Sequence, residues 1–222
     1  MFQTLVLIVL NAMSQIDSLT IEKILITAEE HFAVHGYFAT SMRQLTREAE
    51  VNVAAVHYHF GSKDSLFLAV LKRRIAPFVA MVLDNMQQKI EQKQLVKAED
   101  LVQAFVDVCL FYAREYERGA VLVTRLVSRL MLDEYKTFRE QLAQEYVDVI
   151  EKILHWFEQA LPHLDKETVR WRMHIALSTL FNSFAGNDVL KALARREWVN
   201  AKNPEQVARF VVPFVVAGLT AP

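Results

Sequence analysis

The chain has 222 residues, room for one large domain or two small ones, and 53% of them are hydrophobic, which excludes a disordered chain. Its formal net charge of −1 excludes a globally basic nucleic-acid binder, so any such contact must rest on local charge. The single cysteine, Cys109, excludes an intramolecular disulfide framework and fits a reducing cytosol.

Only 5 Gly and 5 Pro occur, nearly all where helical periodicity breaks, and few segments alternate with period two; the expected fold class is all-α. The start, MFQTLVLIVLNAM, is apolar from Leu5 to Leu10. It is shorter than the ~20 residues that span a bilayer, and it lacks the basic opening of a signal peptide. No later segment is a charge-free run of spanning length, so the expectation is a cytoplasmic protein with no membrane partner. Met13 precedes a polar lead-in. Residues 1–18 are expected to be an N-terminal extension, disordered or, through residue 12, the product of an upstream start.

Thr20 can cap a first helix, with Leu19 and Ile24 as a hydrophobic staple. Ile24, Leu25, Ala28 and Phe32 share one face, and Gly36 ends the helix. His31 and His35 have the four-residue spacing of metal ligands, but no third ligand is near in sequence, and neither metal nor cofactor is expected. From Thr40 to Leu66 two short helices flank a tight turn at Glu50 to Asn52. Met42, Leu45 and Ala49 line the first. Asn52 caps the second, whose Val56 and Phe60 share one face. Val53, Ala54, Ala55, His57, Tyr58 and His59 remain on its other faces. Gly61 ends it, and Ser62 caps a third helix with Asp64 near its N-terminus. Such a pair of helices fits a DNA-reading helix-turn-helix. Between Thr40 and Ile75, Arg43, Arg47, Lys63, Lys72, Arg73 and Arg74 outnumber Glu48, Glu50 and Asp64, a local positive excess suited to phosphates.

The helix from Ser62 passes Leu66, Val70 and Ile75 into Pro77 and resumes through Val82 and Met86 to about Gln92, as one kinked helix or two. It makes the expected domain boundary a helix. Helices at about 101–117, 121–131 and 135–160 come next, the first with Phe105, Cys109 and Tyr112 along one side. Asp165 opens another through residue 185, a short helix covers Val189 to Arg195, and Asn203–Pro204 starts the last. In that last helix Val207, Phe210, Val211, Phe214 and Val215 cover one face, and Val212, Val216 and Ala217 much of another. A helix apolar on most sides must be buried on most sides. The two readings are a central core helix and a homodimer interface shared with helix 166–185, built from Trp171, Ile175, Phe181, Phe210 and Phe214. No GxSxG, Walker or HExxH motif is present, and no enzyme is expected.

The run GYFATSMRQLTREAEVNVAAVHYHFGSKDSL, Gly36 to Leu66, closely resembles the N-terminal DNA-binding domain of TetR-family transcriptional regulators. Gly36-Tyr37, Thr40, Leu45, Ala49, Val51, Tyr58-His59-Phe60, Ser62-Lys63 and Leu66 match that pattern in order. Two positions depart from it: Glu50 stands where the family usually has a turn glycine, and His57 where it often has tyrosine. NVAAVHYHFGSKDSL, Trp171-Arg172-Met173-His174 and EQVARFVVPFVVAGL are further similar to the PsrA-type, fatty-acid-responsive subgroup. The resemblance implies a helix-turn-helix domain over 19–66 and a helical effector-binding and dimerisation domain over 67–222. It implies a homodimeric repressor on near-palindromic double-stranded operator DNA, controlling fatty-acid degradation genes and released by a small hydrophobic effector, a long-chain fatty acid or acyl-CoA.

Thr40, Ser41, Arg43, Asn52, Val53, Ala54, Ala55, His57, Tyr58, His59 and Lys63 are then the DNA-binding candidates: small residues beside thymine methyls, polar ones on bases or phosphates. Phe105, Cys109 and Tyr112 are the apolar effector contacts. Arg125, Arg172 and His174, each interrupting an apolar run, are candidates for a polar terminus; an interhelical ion pair is the alternative for each. Two other functions remain open: a TetR-type repressor of an efflux or detoxification operon with a drug-like hydrophobic ligand, and, beyond that, an all-α enzyme or interaction protein.

Overall fold

The computed structural model describes the backbone of residues 2–116, 119–194, 196 and 198–222, and side chains from Asp17 onward except at 133, 189, 192 and 194 within that span. The fold is all-α, with no strand among the described residues. The chain forms two compact units, Met1–Arg73 and Arg74–Pro222.

The first unit contains α1 (Phe2–Ala39), α2 (Met42–Glu48), α3 (Val53–Phe60) and the opening of α4 (Lys63–Gln92). Thr20 lies inside α1 rather than at its start, because no Gly or Pro interrupts residues 2–35. The N-terminal stretch thus shares one helix with residues 19–39. The side chains through residue 16, on which an extension would be judged, lie outside the described residues. Gly36 breaks the helix at φ 80°, ψ 170°, a backbone geometry that suits a residue without Cβ. Ile24, Ala28 and Phe32 of α1 are fully buried with Leu45, Leu66 and Phe67, and the Phe32 and Phe67 rings meet edge to face at 4.8 Å.

Two buried polar groups in this core have partners, as burial demands. His31 Nε2 lies 2.7 Å from Glu48 Oε2, joining α1 to α2. The Glu29 carboxylate, 1% exposed, is ion-paired with Arg73, its Oε1 2.9 Å from Nε, while the Arg73 guanidinium also donates to both oxygens of Glu22. Asn52 caps α3 as expected, its Oδ1 accepting from the Ala54 N–H at 2.9 Å, whereas α2 is capped by Ser41, which accepts from the Gln44 N–H, and not by Thr40. Between them, Glu50 adopts φ 54°.

The helix α4 runs on to Gln92 with Pro77 inside it, one helix rather than two. The second unit adds α5 (Ala98–Glu115), α6 (Gly119–Leu130), α7 (Lys136–Ala160), α8 (Lys166–Phe184), α9 (Val189–Ala194) and α10 (Pro204–Thr220). Within it α10 packs on α5 and α8, α6 on α5 and α8, and α7 on α8. Leu101, Val106, Cys109, Val123, Leu126 and Val169 are fully buried at these contacts. Burial pushes the Cys109 thiol upward, as expected of an inert apolar cysteine. On α10, Val211, Val215 and Leu219 are buried, but Phe210 and Phe214 are 68% and 70% exposed. The expected all-round burial of this helix is therefore absent within one chain. No helix among the described residues is long and apolar enough to cross a membrane.

Candidate functional sites

The α2–turn–α3 unit presents a largely uncharged surface. Ser41, Arg43, Asn52, Val53, Ala54, His57 and Tyr58 are exposed and Ala55 is half-buried; Tyr58 reaches 80%. Val56, 2% exposed, is the residue by which α3 holds to the core. His57 Nδ1 lies 2.9 Å from the Gly61 carbonyl, across the C-terminus of α3. The Lys63 ammonium sits 4.4 Å from the centre of the Tyr37 ring, and the Tyr37 hydroxyl donates to Asp64 Oδ1. Burial, aided by the bond to Asp64, pushes the Tyr37 hydroxyl up to about 12. Burial pulls the Lys63 ammonium downward, and the Asp64 charge opposes that.

Two of the expected DNA-facing residues are turned inward. Thr40 is 4% exposed, and its hydroxyl donates to the Gly36 carbonyl at 2.6 Å, so it holds the α1–α2 corner rather than offering a donor outward. The His59 side chain is 11% exposed, with Nε2 4.0 Å from Asp17 Oδ1. The rings of His31 and His35 lie 5.5 Å apart, and no cluster of metal-ligating residues is present among the described residues.

The second unit encloses an apolar cavity of about 440 Å³ between α4, α5, α6, α7 and α8, with Leu219 of α10 on its wall. Phe78, Val82 and Met86 of α4, Phe105 of α5 and Phe181 of α8 line it. Phe78 meets Phe105 at 5.6 Å, and Phe105 meets Phe181 at 5.2 Å, both edge to face. Of the expected effector contacts, Phe105 is on the wall, whereas Cys109 and Tyr112 are buried elsewhere on α5.

None of the three expected polar-terminus residues lines this cavity. Arg125 Nε donates to the Ala185 carbonyl at 2.8 Å, tying α6 to the end of α8. Arg172 donates to the Leu219 carbonyl at 2.9 Å and to that of Ala221, satisfying the orphan acceptors at the end of α10. His174 is exposed, its ring edge-on to Trp171 at 6.0 Å. The lining residues with polar side chains are instead Arg139 and Tyr146 of α7. Both sit in a charged helix, where they interrupt no apolar run. Their sequence signal is proximity to the apolar stripe: Arg139 lies between Phe138 and Leu142, both buried.

The expected interface residues divide. Trp171 and Ile175 on α8 and Phe210 and Phe214 on α10 are 59–70% exposed. Beside the last two lies a groove of about 560 Å³ lined also by Thr179, Ser183 and Val207. Phe181 belongs to the internal cavity wall rather than to this exposed set.

The bacterial regulatory proteins of the tetR family match residues 24–70. The tetracyclin repressor-like C-terminal domain matches residues 103–218, more than half of the chain. The HTH-type transcriptional activator FasR of Mycolicibacterium smegmatis is 34% identical over 85 residues, 38% of this chain and 38% of that protein. The chain thus aligns with only about a third of the length of the curated relatives it matches. Among solved structures, a TetR-like transcriptional regulator from Rhodococcus sp. RHA1 superposes with a TM-score of 0.62 at 17% identity, covering 90% of this chain and 96% of that one. The regulator FadR from Bacillus subtilis, in complex with stearoyl-CoA, superposes with a TM-score of 0.59 at 14% identity, covering 89% and 98%. At such identities the likeness is one of fold. With one family description matched at the helix-turn-helix and another across the helices that enclose the cavity, the chain belongs to the TetR family of bacterial transcriptional regulators.

Proposed function

We propose that the protein is a homodimeric, ligand-responsive repressor that controls fatty-acid degradation genes and leaves its operator when a long-chain fatty acid or acyl-CoA binds. The observation that carries the reading is the cavity of about 440 Å³, walled almost wholly by aliphatic and aromatic side chains, within the range of small-molecule sites. The fold likeness to a regulator solved with stearoyl-CoA supports it. A cationic, drug-like effector would call for a carboxylate in the wall, and the lining residues include none.

On DNA, a dimer presents two α3 helices to successive major grooves ~34–36 Å apart, so the operator is near-palindromic. Val53, Ala54 and Ala55 permit close approach and contact thymine methyls. Tyr58, His57 and Arg43 supply hydrogen bonds to base edges or backbone, and Ser41, Asn52 and Lys63 lie beside them for phosphates. Thr40 and His59 act by holding this surface in place. A ligand against Phe78, Val82 and Met86 touches α4, the helix that begins at Lys63, directly after α3. It releases the operator by binding better to the conformation in which the two reading helices are misspaced.

The test is a gel shift of the protein on its own upstream DNA at low salt, without competitor DNA, followed by titration with oleate, oleoyl-CoA or a cationic dye. A shift reversed by either oleoyl ligand and not by the dye is the expected result. No shift at all would sink the regulator reading; reversal by the dye alone would favour an efflux repressor.

A further inference from the structure

The apolar cavity has a long wall. On α7 the lining recurs every third or fourth residue from Arg139 through Leu142, Tyr146, Val149 and Ile153 to Phe157, about 27 Å of helix at ~1.5 Å per residue. That length suits an extended chain better than a compact ring system. Almost no polar surface faces the space. Arg139 and Tyr146 therefore line it with hydrocarbon stem and ring, and the Arg139 Nη1 donates to the Leu130 carbonyl at 2.8 Å, at the end of α6. A carboxylate, phosphate or amide drawn inside would lose its water and gain no partner, a penalty that a hydrocarbon chain does not meet. The cavity is also partly open rather than sealed, so a head group can remain in water while its chain lies against Phe105 and Phe181.

We propose that the cavity recognises an unbranched hydrocarbon chain and is blind to the head group that carries it, which stays in solvent. The proposal rests on reading this cavity as the effector site and sharpens it: chain length, not acid against thioester, selects the ligand. Each methylene added inside tightens binding about fourfold, until the cavity is full. That increment is the same for acids and alcohols, because the wall meets only the chain. A head group held by a charged hydrogen bond would instead separate acid from alcohol by about tenfold or more.

The experiment uses the full chain and displacement of the uncharged dye Nile red by dodecan-1-ol, dodecanoate and dodecanoyl-CoA, then by the decyl members of each series. The three dodecyl ligands are expected to agree within about threefold, and each decyl ligand to bind about fifteenfold more weakly than its dodecyl counterpart. Val149→Trp, at a half-buried lining position, is expected to weaken all three alike by at least about tenfold, as if two methylenes were displaced. A preference of about tenfold or more for any one head group overturns the proposal but leaves the cavity as an effector site. That comparison needs only the unaltered protein, so it decides the matter even if the variant does not fold. A folded Val149→Trp protein that binds the ligands like the parent puts them outside the cavity, and the proposal falls together with the effector reading. So it does if neither the dye nor any ligand binds.

Discussion

Glu50 holds φ 54° in the turn between α2 and α3, the left-handed region, where an L-residue is strained by roughly 1–2 kcal/mol. The turn needs that conformation to bring Asn52 to the start of α3, and glutamate stands where the family usually has glycine. Glu50→Gly is expected to raise stability by about 1 kcal/mol, less the entropy that glycine gains in the unfolded chain, read as a higher urea midpoint at unchanged slope. A lower midpoint would mean that the Glu50 side chain contributes more than its backbone costs. Tyr37 offers a pH test. Its hydroxyl is held up to about 12, mainly by burial and then by Asp64, while an unfolded tyrosine titrates near ~10. The folded form keeps a proton that the unfolded form has lost, so this contribution is full below pH ~10 and disappears as pH rises toward 12. Lys63, pulled downward by its own burial, works in the opposite direction. Tyr37→Phe is expected to flatten the alkaline loss of helical circular dichroism measured in urea between these limits; an unchanged profile would remove Tyr37 as its source. The strain at Glu50 was legible in advance, because the residue type and the turn position already conflict. The Tyr37–Asp64–Lys63 cluster was not, since it joins residues 27 positions apart whose meeting depends on the packing of Phe32 against Phe67.

At the scale of elements, α3, the proposed reading helix, carries no Arg or Lys, is held by Val56 and is capped by Asn52. Its charge comes from neighbours, Arg43 in α2 and Lys63 at the start of α4. Lys63→Ala is therefore expected to weaken binding to operator and random DNA alike, and to lower the salt slope by about one. Ala55→Leu is expected to abolish the operator preference by bulk, with little change on random DNA. Gel shifts on both DNAs at several salt concentrations check the pair, and selective loss in the Lys63 variant would reverse the assignment. Helix boundaries tracked the capping and breaking residues closely: Asn52, Asp165 and Asn203 all cap as expected. The start of α1 did not, because a good cap at Thr20 ends nothing when the residues before it also favour helix. Thr40 likewise shows that a hydroxyl at a helix entrance is free for DNA only if the backbone does not claim it, and here the Gly36 carbonyl does.

For the whole molecule, Phe210 and Phe214 on α10, with Trp171 and Ile175 on α8, expose a large apolar surface that a lone soluble chain seldom leaves uncovered. A second copy is the proposed cover. Phe214→Glu combined with Phe210→Glu is expected to yield a monomer by sedimentation, with helical content intact and operator affinity down by at least about a hundredfold, since each half-site must then bind alone. A folded monomer that held the operator as tightly as the parent would defeat the dimeric picture. Sequence by itself determined the all-α class, the helix-turn-helix with its exposed Val53, Ala54 and Tyr58, and the lack of a side-chain reason for α10 to face water, because each comes from local periodicity, capping and spacing. Only the tertiary structure decided which arginine meets the cavity. Arg125 and Arg172 spend their donors on the carbonyls of Ala185 and Leu219, ends of helices 60 and 47 residues away, while Arg139, whose Nη1 donates to the carbonyls of Leu130 and Leu132, is a lining residue of the cavity. A side chain's free hydrogen-bonding capacity is what remains after its long-range partners are satisfied, and those partners are set by packing.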